Sequence, residues 1–487
     1  MIKKPTNRKV GAAVILVLSA RVAWGVQLSG DTDPVPLVPP VQKTPAAGKA
    51  PASGWDQPTP RGAGASAPPA ATLSAEEKSK GLVGPGFSLW ELSEELRASN
   101  PQLIQARSLY MAAKATVPQI AAPNNPQVGF IWGNLPKNSP LALARAESFS
   151  YTLTQSIPFP GKKALAADIA NTQAESIDAQ RDALYLQLYA QLSTTYFQAL
   201  AQKAQLDVLR LNLDVLRLNL KRLEQVKQVA RIRYANNAAG YVDYLNAQVA
   251  QSSAQNDMFG LERQHDNALK TINTLIGKNP EFPLELRPDA GAVRLPPTPL
   301  PELEDMALRE HPNVRASRFL VEAAEKGVRL ARKAYLPDFQ IIGTFNGNNP
   351  PLGFKPASYG IEFDVIIPLF FFTKEKYGVD EAVANKVASD ANDQSVRQQT
   401  LLAVDTAHNN LRQSVNQAEF LRQRQLPEAM TAYKMAFTNY ANNNADFTDL
   451  LTASSALKNA ELAVTQAESD ARQAYYTLAA AVGHEKF

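Results

Sequence analysis

At 487 residues the chain is long enough for three ordinary domains, and it has no cysteine, which excludes disulfides, thiolate zinc sites and thiol catalysis. The formal charge of +4 is carried by Lys3, Lys4, Arg8, Lys9 and Arg21 near the N-terminus. The remainder is close to neutral, which removes the electrostatic case for nucleic-acid binding.

The chain opens as a secretory signal would. A basic stretch ends at Lys9, the apolar run Val10 to Ala20 follows, and Ala23-Trp24-Gly25 places small residues where a signal peptidase cuts. The apolar run is too short to span a bilayer, and no later segment offers some 18 consecutive apolar residues. Residues 1–25 are therefore read as a signal peptide. Residues 26–85 are rich in Pro, Ala, Gly and Ser, bury too little apolar surface to offset their ordering entropy, and are read as a disordered exported tail.

Beyond the tail the sequence repeats itself. Asn100-Pro101-Gln102-Leu103 returns as His311-Pro312-Asn313-Val314, and Pro126-Gln127-Val128 as Pro337-Asp338-Phe339, both 211 positions later. Ile157-Pro158-Phe159 returns as Ile367-Pro368-Leu369 after 210. Tyr234-Ala235-Asn236-Asn237 returns as Tyr440-Ala441-Asn442-Asn443, and Leu275-Ile276-Gly277 as Ala481-Val482-Gly483, both after 206. Landmarks kept in one order mean two structural repeats, assigned to 86–298 and 299–487. The drop in offset gives the first repeat about one extra helical turn between its third and fourth landmarks.

Each repeat should hold two strands. In Ser148 to Gln155 aromatic or aliphatic residues alternate with small polar ones. In Tyr359 to Ile367 the apolar face is unbroken, with Glu362 and Asp364 on the other. Gln127–Gly133 and Phe339–Phe345 are their partners, and Asn346 to Pro351 reads as a polar loop. Period two fits a half-buried soluble sheet, and it equally fits an outer-membrane barrel with one face to lipid and one to water. In a barrel, Phe149, Tyr151, Leu153, Ile361, Phe363 and Val365 would meet lipid. Four strands cannot close a barrel, so several chains would have to pool them; the count alone does not separate dimer from trimer.

The helices are unusually long. Lys162 to about Tyr234 contains no proline or glycine, and Gly378 to Asn439 contains only Pro427. Leu206-Asp207-Val208-Leu209-Arg210-Leu211-Asn212 is repeated verbatim as 213–219, a seven-residue pattern suited to coiled-coil packing. Its leucines, including Leu209, Leu211, Leu216 and Leu218, occupy more than one seam, as a helix packed on both sides requires. A plain helical bundle or stalk is the simpler alternative.

These helices should turn at two hairpins, Tyr234–Ala247 and Tyr440–Ala453. Asn237 and Asn443 stand where the chain must turn, since Asn tolerates left-handed backbone. Asp243 and Asp449 follow six residues later in both. They read either as first-turn acids that complement the helix dipole or as an acidic ring at a pore mouth. His265, His311, His408 and His484 show no metal-ligand spacing, Gly161-Lys162 lacks the upstream glycine of a phosphate loop, and no Gly-x-Ser-x-Gly occurs. No catalytic constellation, cofactor or metal site is expected.

Taken together, the doubled helix–strand–strand–helix unit, the exits Ile157-Pro158-Phe159-Pro160-Gly161-Lys162 and Ile367-Pro368-Leu369-Phe370, and the two Tyr-led hairpins ending in Ala247 and Ala453 resemble the TolC family of outer-membrane efflux proteins over about residues 88–487. The Pro-Phe-Pro-Gly-Lys exit is similar to the branch associated with heavy-metal and cation efflux. Members usually carry Gly where this chain has Asn237 and Asn443, and some carry a lipidated N-terminal Cys that this chain lacks. The resemblance implies a mainly α fold with membrane β: long coiled-coil helices in a periplasmic α-barrel, and four strands per chain in a trimeric 12-stranded outer-membrane barrel.

It further implies a passive exit duct in the outer membrane of a Gram-negative bacterium, with helices and tail in the periplasm. Its partners would be a periplasmic adaptor (membrane fusion) protein and an inner-membrane pump. Tyr234, Tyr440, Asp243 and Asp449 would lie at the periplasmic gate. Asn237, Gly240, Tyr241, Asn443, Asp446 and Phe447 would form the tip turns and adaptor docking surface, and Glu362 and Asp364 would face the lumen. A family aperture position that can be acidic is Thr452 here. The rival readings are a periplasmic coiled-coil adaptor or structural protein, which should carry β-rich modules around a single hairpin, and an exported enzyme.

Overall fold

A computed structural model describes residues 86–133, 135, 137–138, 148–233, 238–288, 295–348, 358–442 and 444–485. The expected signal peptide, the Pro-rich tail, Tyr234, Asn237 and Asn443 lie outside the described residues.

Each repeat begins with two short helices. α1 (Leu89–Ser99) and α2 (Pro101–Ala121) open the first, and α5 (Leu300–Glu310) and α6 (Pro312–Lys333) open the second. The Asn-Pro and His-Pro landmarks are helix caps. Asn100 Oδ1 accepts the backbone N–H of Gln102 at 2.8 Å and of Leu103 at 3.2 Å, and His311 Nδ1 accepts that of Asn313 at 3.2 Å. Proline follows as the first helical residue, where no N–H is needed. The closing glycines have an equally local cause. Gly277 and Gly483 end their helices with φ of 71° and 106°, left-handed values that glycine adopts without strain. A Cβ on Gly483 would sit 3.0 Å from His311 Cα, so the last helix of the repeat closes onto the cap where its second helix starts.

Four strands form one antiparallel sheet in the order β1 (Gln127–Gly133), β2 (Ser148–Ile157), β3 (Asp338–Asn348), β4 (Ser358–Ile366). The two repeats thus share a sheet, joined at β2–β3. β3 runs further than expected: Asn346, Gly347 and Asn348, read as loop, pair with Ser150, Phe149 and Ser148. Ser150 Oγ donates to Asn346 Oδ1 at 2.7 Å, which keeps this polar stretch in the ladder.

α3 (Lys162–Arg233) is 72 residues long, about 108 Å of helix at 1.5 Å per residue. It carries the whole first repeat from the sheet to the far hairpin, where α4 (Ala238–Leu275) returns. The second repeat makes the same journey in three pieces: α7 (Glu375–Phe420), a π-helical turn Leu421–Gln425 and α8 (Leu426–Ala441), of 46, 5 and 16 residues. α9 (Phe447–Val482) returns. The second path is the shorter, as the falling offset requires. Its π turn precedes Pro427. Proline cannot donate to the preceding turn and its ring crowds the carbonyl four residues back, and a wider turn relieves both.

The heptad leucines divide as two seams should. Leu206, Leu209, Leu213 and Leu216 are buried, Leu213 and Leu216 packing with Ala254 of α4. Leu211 and Leu218, seven apart, remain 66% and 58% exposed. Near the sheet α3 packs between α2 and α6; further along it packs between α4 and α9, which continues to α7 and α8.

Candidate functional site

The sheet is two-faced. Residues opposite each other in an antiparallel ladder share a face. Strand by strand, Val128, Phe130 and Trp132, then Phe149, Tyr151 and Leu153, then Phe339, Ile341 and Phe345, then Tyr359, Ile361, Phe363 and Val365 fall on one face. The rings touch across strands: Trp132 and Phe149 lie 5.4 Å apart between centroids, and Tyr151 stacks on Phe345 at 4.8 Å. The other face carries Ser148, Ser150, Thr152, Thr154 and Ser156, Gln340 and Thr344, and Glu362 and Asp364. Ile131, Ile342 and Ile366 are its apolar members, and Gln155 is the polar member of the apolar face. Phe363 is 74% exposed, so the apolar face is uncovered within one chain. A soluble half-buried sheet would cover it. An uncovered apolar face this wide fits hydrocarbon.

Where β2 becomes α3 a polar clamp fixes the geometry. Lys162 Nζ donates to Asp338 Oδ1 at 2.8 Å and to the Leu336 carbonyl at 2.9 Å. The Phe159 N–H donates to the same Asp338 oxygen at 2.7 Å. From sequence, Gly161-Lys162 stands out as an incomplete phosphate loop and as part of the family-like strand exit, and neither reading anticipates this contact. The legible signal was the repeat itself, since Asp338 stands where the first repeat has Gln127.

At the opposite end the two hairpins meet in a small core of Leu223, Ala247, Phe447 and Leu450, flanked by Tyr244, Tyr433 and Tyr440. Phe447, expected on the docking surface, is 2% exposed and belongs to this core, because it is the first residue of α9 and turns inward. The Tyr440 ring meets Phe447 edge-on at 5.7 Å. Asp446 stands at the N-cap position of α9, without a side-chain capping hydrogen bond, and is exposed. Gly240 and Tyr241 lie in the first turn of α4; their side chains are outside the described residues.

The two aspartates are not equivalent. Asp449 is in the first turn of α9 and exposed, so it has the dipole-complementing position. Asp243 lies beyond the first turn of α4, which carries no acid, so the dipole reading does not extend to it. Its partial burial and then the nearby Asp446 carboxylate of the other hairpin push its carboxyl above the ordinary value. Among the described residues, no group of three His, Asp or Glu side chains is placed to hold a metal ion, and no helix is long and apolar enough to cross a membrane.

A family model described as outer membrane efflux protein matches residues 92–278 and 303–484. The pyoverdine export outer membrane protein OpmQ of Pseudomonas putida is 24% identical over 344 residues, covering 67% of this chain and 69% of its own. The solved outer-membrane channel OprN has a TM-score of 0.68 at 21% identity, over 81% of this chain and 89% of its own. VceC of Vibrio cholerae has 0.66 at 17%, over 81% and 96%. The family match spans both halves and coincides with the doubled fold and the two-faced sheet, and the chain belongs to the outer membrane efflux protein family.

Proposed function

We propose that three copies of this outer-membrane efflux channel protein pool their strands into one 12-stranded barrel and their helices into a continuous duct. The carrying observation is the sheet, apolar on one face and polar on the other, with four strands and both edges open among the described residues. Backbone at an open edge is not tolerated in lipid, and outer-membrane barrels start at eight strands. Two chains would reach eight strands, where side chains fill the interior; twelve leave a lumen. Glu362 and Asp364, on the polar face, then line that lumen.

In this reading the protein moves nothing by itself. An inner-membrane pump supplies the energy, and a periplasmic adaptor docks at the hairpins through Asn237, Gly240, Tyr241, Asn443 and Asp446. Asp243 and Asp449 of three copies supply six carboxylates around the narrow end, with Tyr234 and Tyr440 beside them. Such rings favour cations. Substrate choice rests with the pump: the OpmQ relatives are named for pyoverdine export, while the strand exit is similar to the cation-efflux branch. Planar-bilayer recording on purified protein tests the duct. Discrete cation-selective channels are expected, and membranes that stay silent would refute it.

A further inference from the structure

The apolar face does not stop where the sheet does. Tyr359, Ile361, Phe363 and Val365 alternate along β4, and the alternation runs on through Ile367 to Leu369, which are 61% and 73% exposed. The turn Phe370-Phe371-Phe372-Thr373-Lys374 follows, and α7 starts at Glu375. This turn is internally bonded. The N–H groups of Thr373 and Lys374 both donate to the Phe370 carbonyl, at 2.9 and 3.0 Å, and that of Lys376 donates to the Phe371 carbonyl at 3.0 Å. Phe371 lies edge-on to Tyr335 at 6.4 Å, while Phe370 and Phe372 stay 76% and 70% exposed.

The two repeats use their lysines differently at this level. At the first strand exit, Lys162 is held by Asp338 and the Leu336 carbonyl, and Lys163 Nζ donates to the Ala122 carbonyl at 2.7 Å. At the second exit, Lys374 and Lys376 are exposed, and among the described residues neither forms an ion pair. Lys376 Nζ lies only over the neighbouring Tyr377 ring, 5.9 Å from its centroid. Lys374 is the N-cap residue of α7 and makes no capping bond there. A cation at that end of a helix is disfavoured by the dipole, so the helix itself gives no reason for this pair.

We propose that this turn seats an anionic phospholipid from the leaflet nearest the helices. Lys374 and Lys376 take its phosphate, and Leu369, Phe370 and Phe372 enter the boundary between headgroups and acyl chains. The inference rests on the barrel reading and adds to it a lipid class and a site, one per copy, at the second exit alone. The depth agrees. β4 has nine residues, the number a tilted strand needs to cross hydrocarbon, so the residues after it fall at the headgroup level. Aromatic rings and snorkelling lysines are favoured at that level. The charge agrees as well. This end of the sheet gathers Lys162, Lys163, Arg332, Lys333, Lys374 and Lys376 against Asp338 and Glu375, a local field that favours anionic over zwitterionic lipid.

The test titrates purified full-length protein in non-ionic detergent with phosphatidylglycerol or with phosphatidylethanolamine and weighs the complexes intact. Phosphatidylglycerol should bind in preference, one molecule per chain. Lys374→Gln with Lys376→Gln should weaken it about thirtyfold, a factor of about five for each lysine at an anionic surface, and leave phosphatidylethanolamine unaltered. Lys163→Gln, at the first exit, should change neither. Equal binding of the two lipids, or no loss in the lysine variant, would overturn the proposal while the same spectra still show the oligomer; a monomer would overturn the barrel reading with it. Displacement of the lipid by inorganic phosphate would make this a site for the free anion and overturn the lipid assignment. Phe370→Trp, which keeps the turn, tests the apolar half in vesicles of phosphatidylglycerol brominated on its acyl chains. Its added emission should be quenched. Unquenched emission would mean that a second copy covers the turn, and would overturn the proposal.

Discussion

Lys162 and Asp338 meet at 2.8 Å across the boundary between the two repeats, where strand gives way to helix. Asp338 serves two donors, the lysine ammonium and the Phe159 N–H, so it fixes the direction in which the long helix leaves the sheet. Asp338→Ala removes the oxygen that accepts from both donors and should cost about 1.5–3 kcal/mol, the range for hydrogen bonds to charged groups. Asp338→Asn keeps a carbonyl for Phe159 and should cost less. Thermal unfolding of the assembled protein gives the order; equal loss in both variants would assign the whole effect to charge.

The alternation of the sheet predicts a depth-dependent penalty. Phe363→Arg sets a cation on the apolar face and should cost roughly 2–4 kcal/mol near the bilayer midplane, while Glu362→Gln on the polar face should leave assembly intact. Yield of assembled protein in outer membranes reports both. Normal yield from the first and severe loss from the second would invert the sheet.

The divided leucine seams predict two kinds of defect. Leu209 is 2% exposed, so Leu209→Ala should destabilise the chain itself by about 2–5 kcal/mol. Leu211→Ala, on the uncovered seam, should leave the isolated chain unaltered and weaken association between copies. Detergent-dependent dissociation, followed by mass, separates the two.

At the hairpins, Asp243→Ala with Asp449→Ala removes the carboxylates and should weaken block by multivalent cations, with assembly unchanged. The acid pair also gives a pH effect. Because the Asp243 carboxyl is raised in the packed tip, the packed tip binds the proton more readily than the opened one, so it gains stability as pH falls through the carboxylate range and loses it as pH rises. Conductance should therefore drop on acidification. Asp446→Asn removes one of the two causes and should move that drop to lower pH; an unmoved midpoint would show that Asp446 does not act on Asp243.

His311 predicts the opposite sign. It caps α6 through a neutral ring nitrogen, and burial holds its pKa below the ordinary value. The unfolded imidazole then binds protons more readily, so the cap is intact above about pH 6.5 and is lost as pH falls through the lower folded value. His311→Asn, matching Asn100 in the other repeat, should keep a cap worth about 1 kcal/mol and remove this loss. Hydrogen exchange at the first turn of α6 measures it.

Much of this architecture was legible because its causes are local. Asn100 and His311 before proline, Gly277 and Gly483 at helix ends, and the alternation of Ser148 to Gln155 each act within a few residues. What escaped reading depends on contacts between distant segments. Phe447 looked like a tip residue and proved to be core because α4 and α9 converge on it. Asp243 and Asp449 looked equivalent because they share an offset, yet their helices begin at different points. Asn346 to Asn348 looked like loop because their composition is polar, and the β2 edge drew them into the ladder. Pro427 was visible in the sequence, but the π turn that accommodates it was not.

The proposed channel closes only when three copies pool their strands. Native mass measurement of protein extracted from outer membranes into mild detergent tests it most directly. The expected result is a single species of three mature chains that opens discrete channels in planar bilayers. A stable monomer, or a protein recovered with the soluble periplasmic fraction, would contradict it.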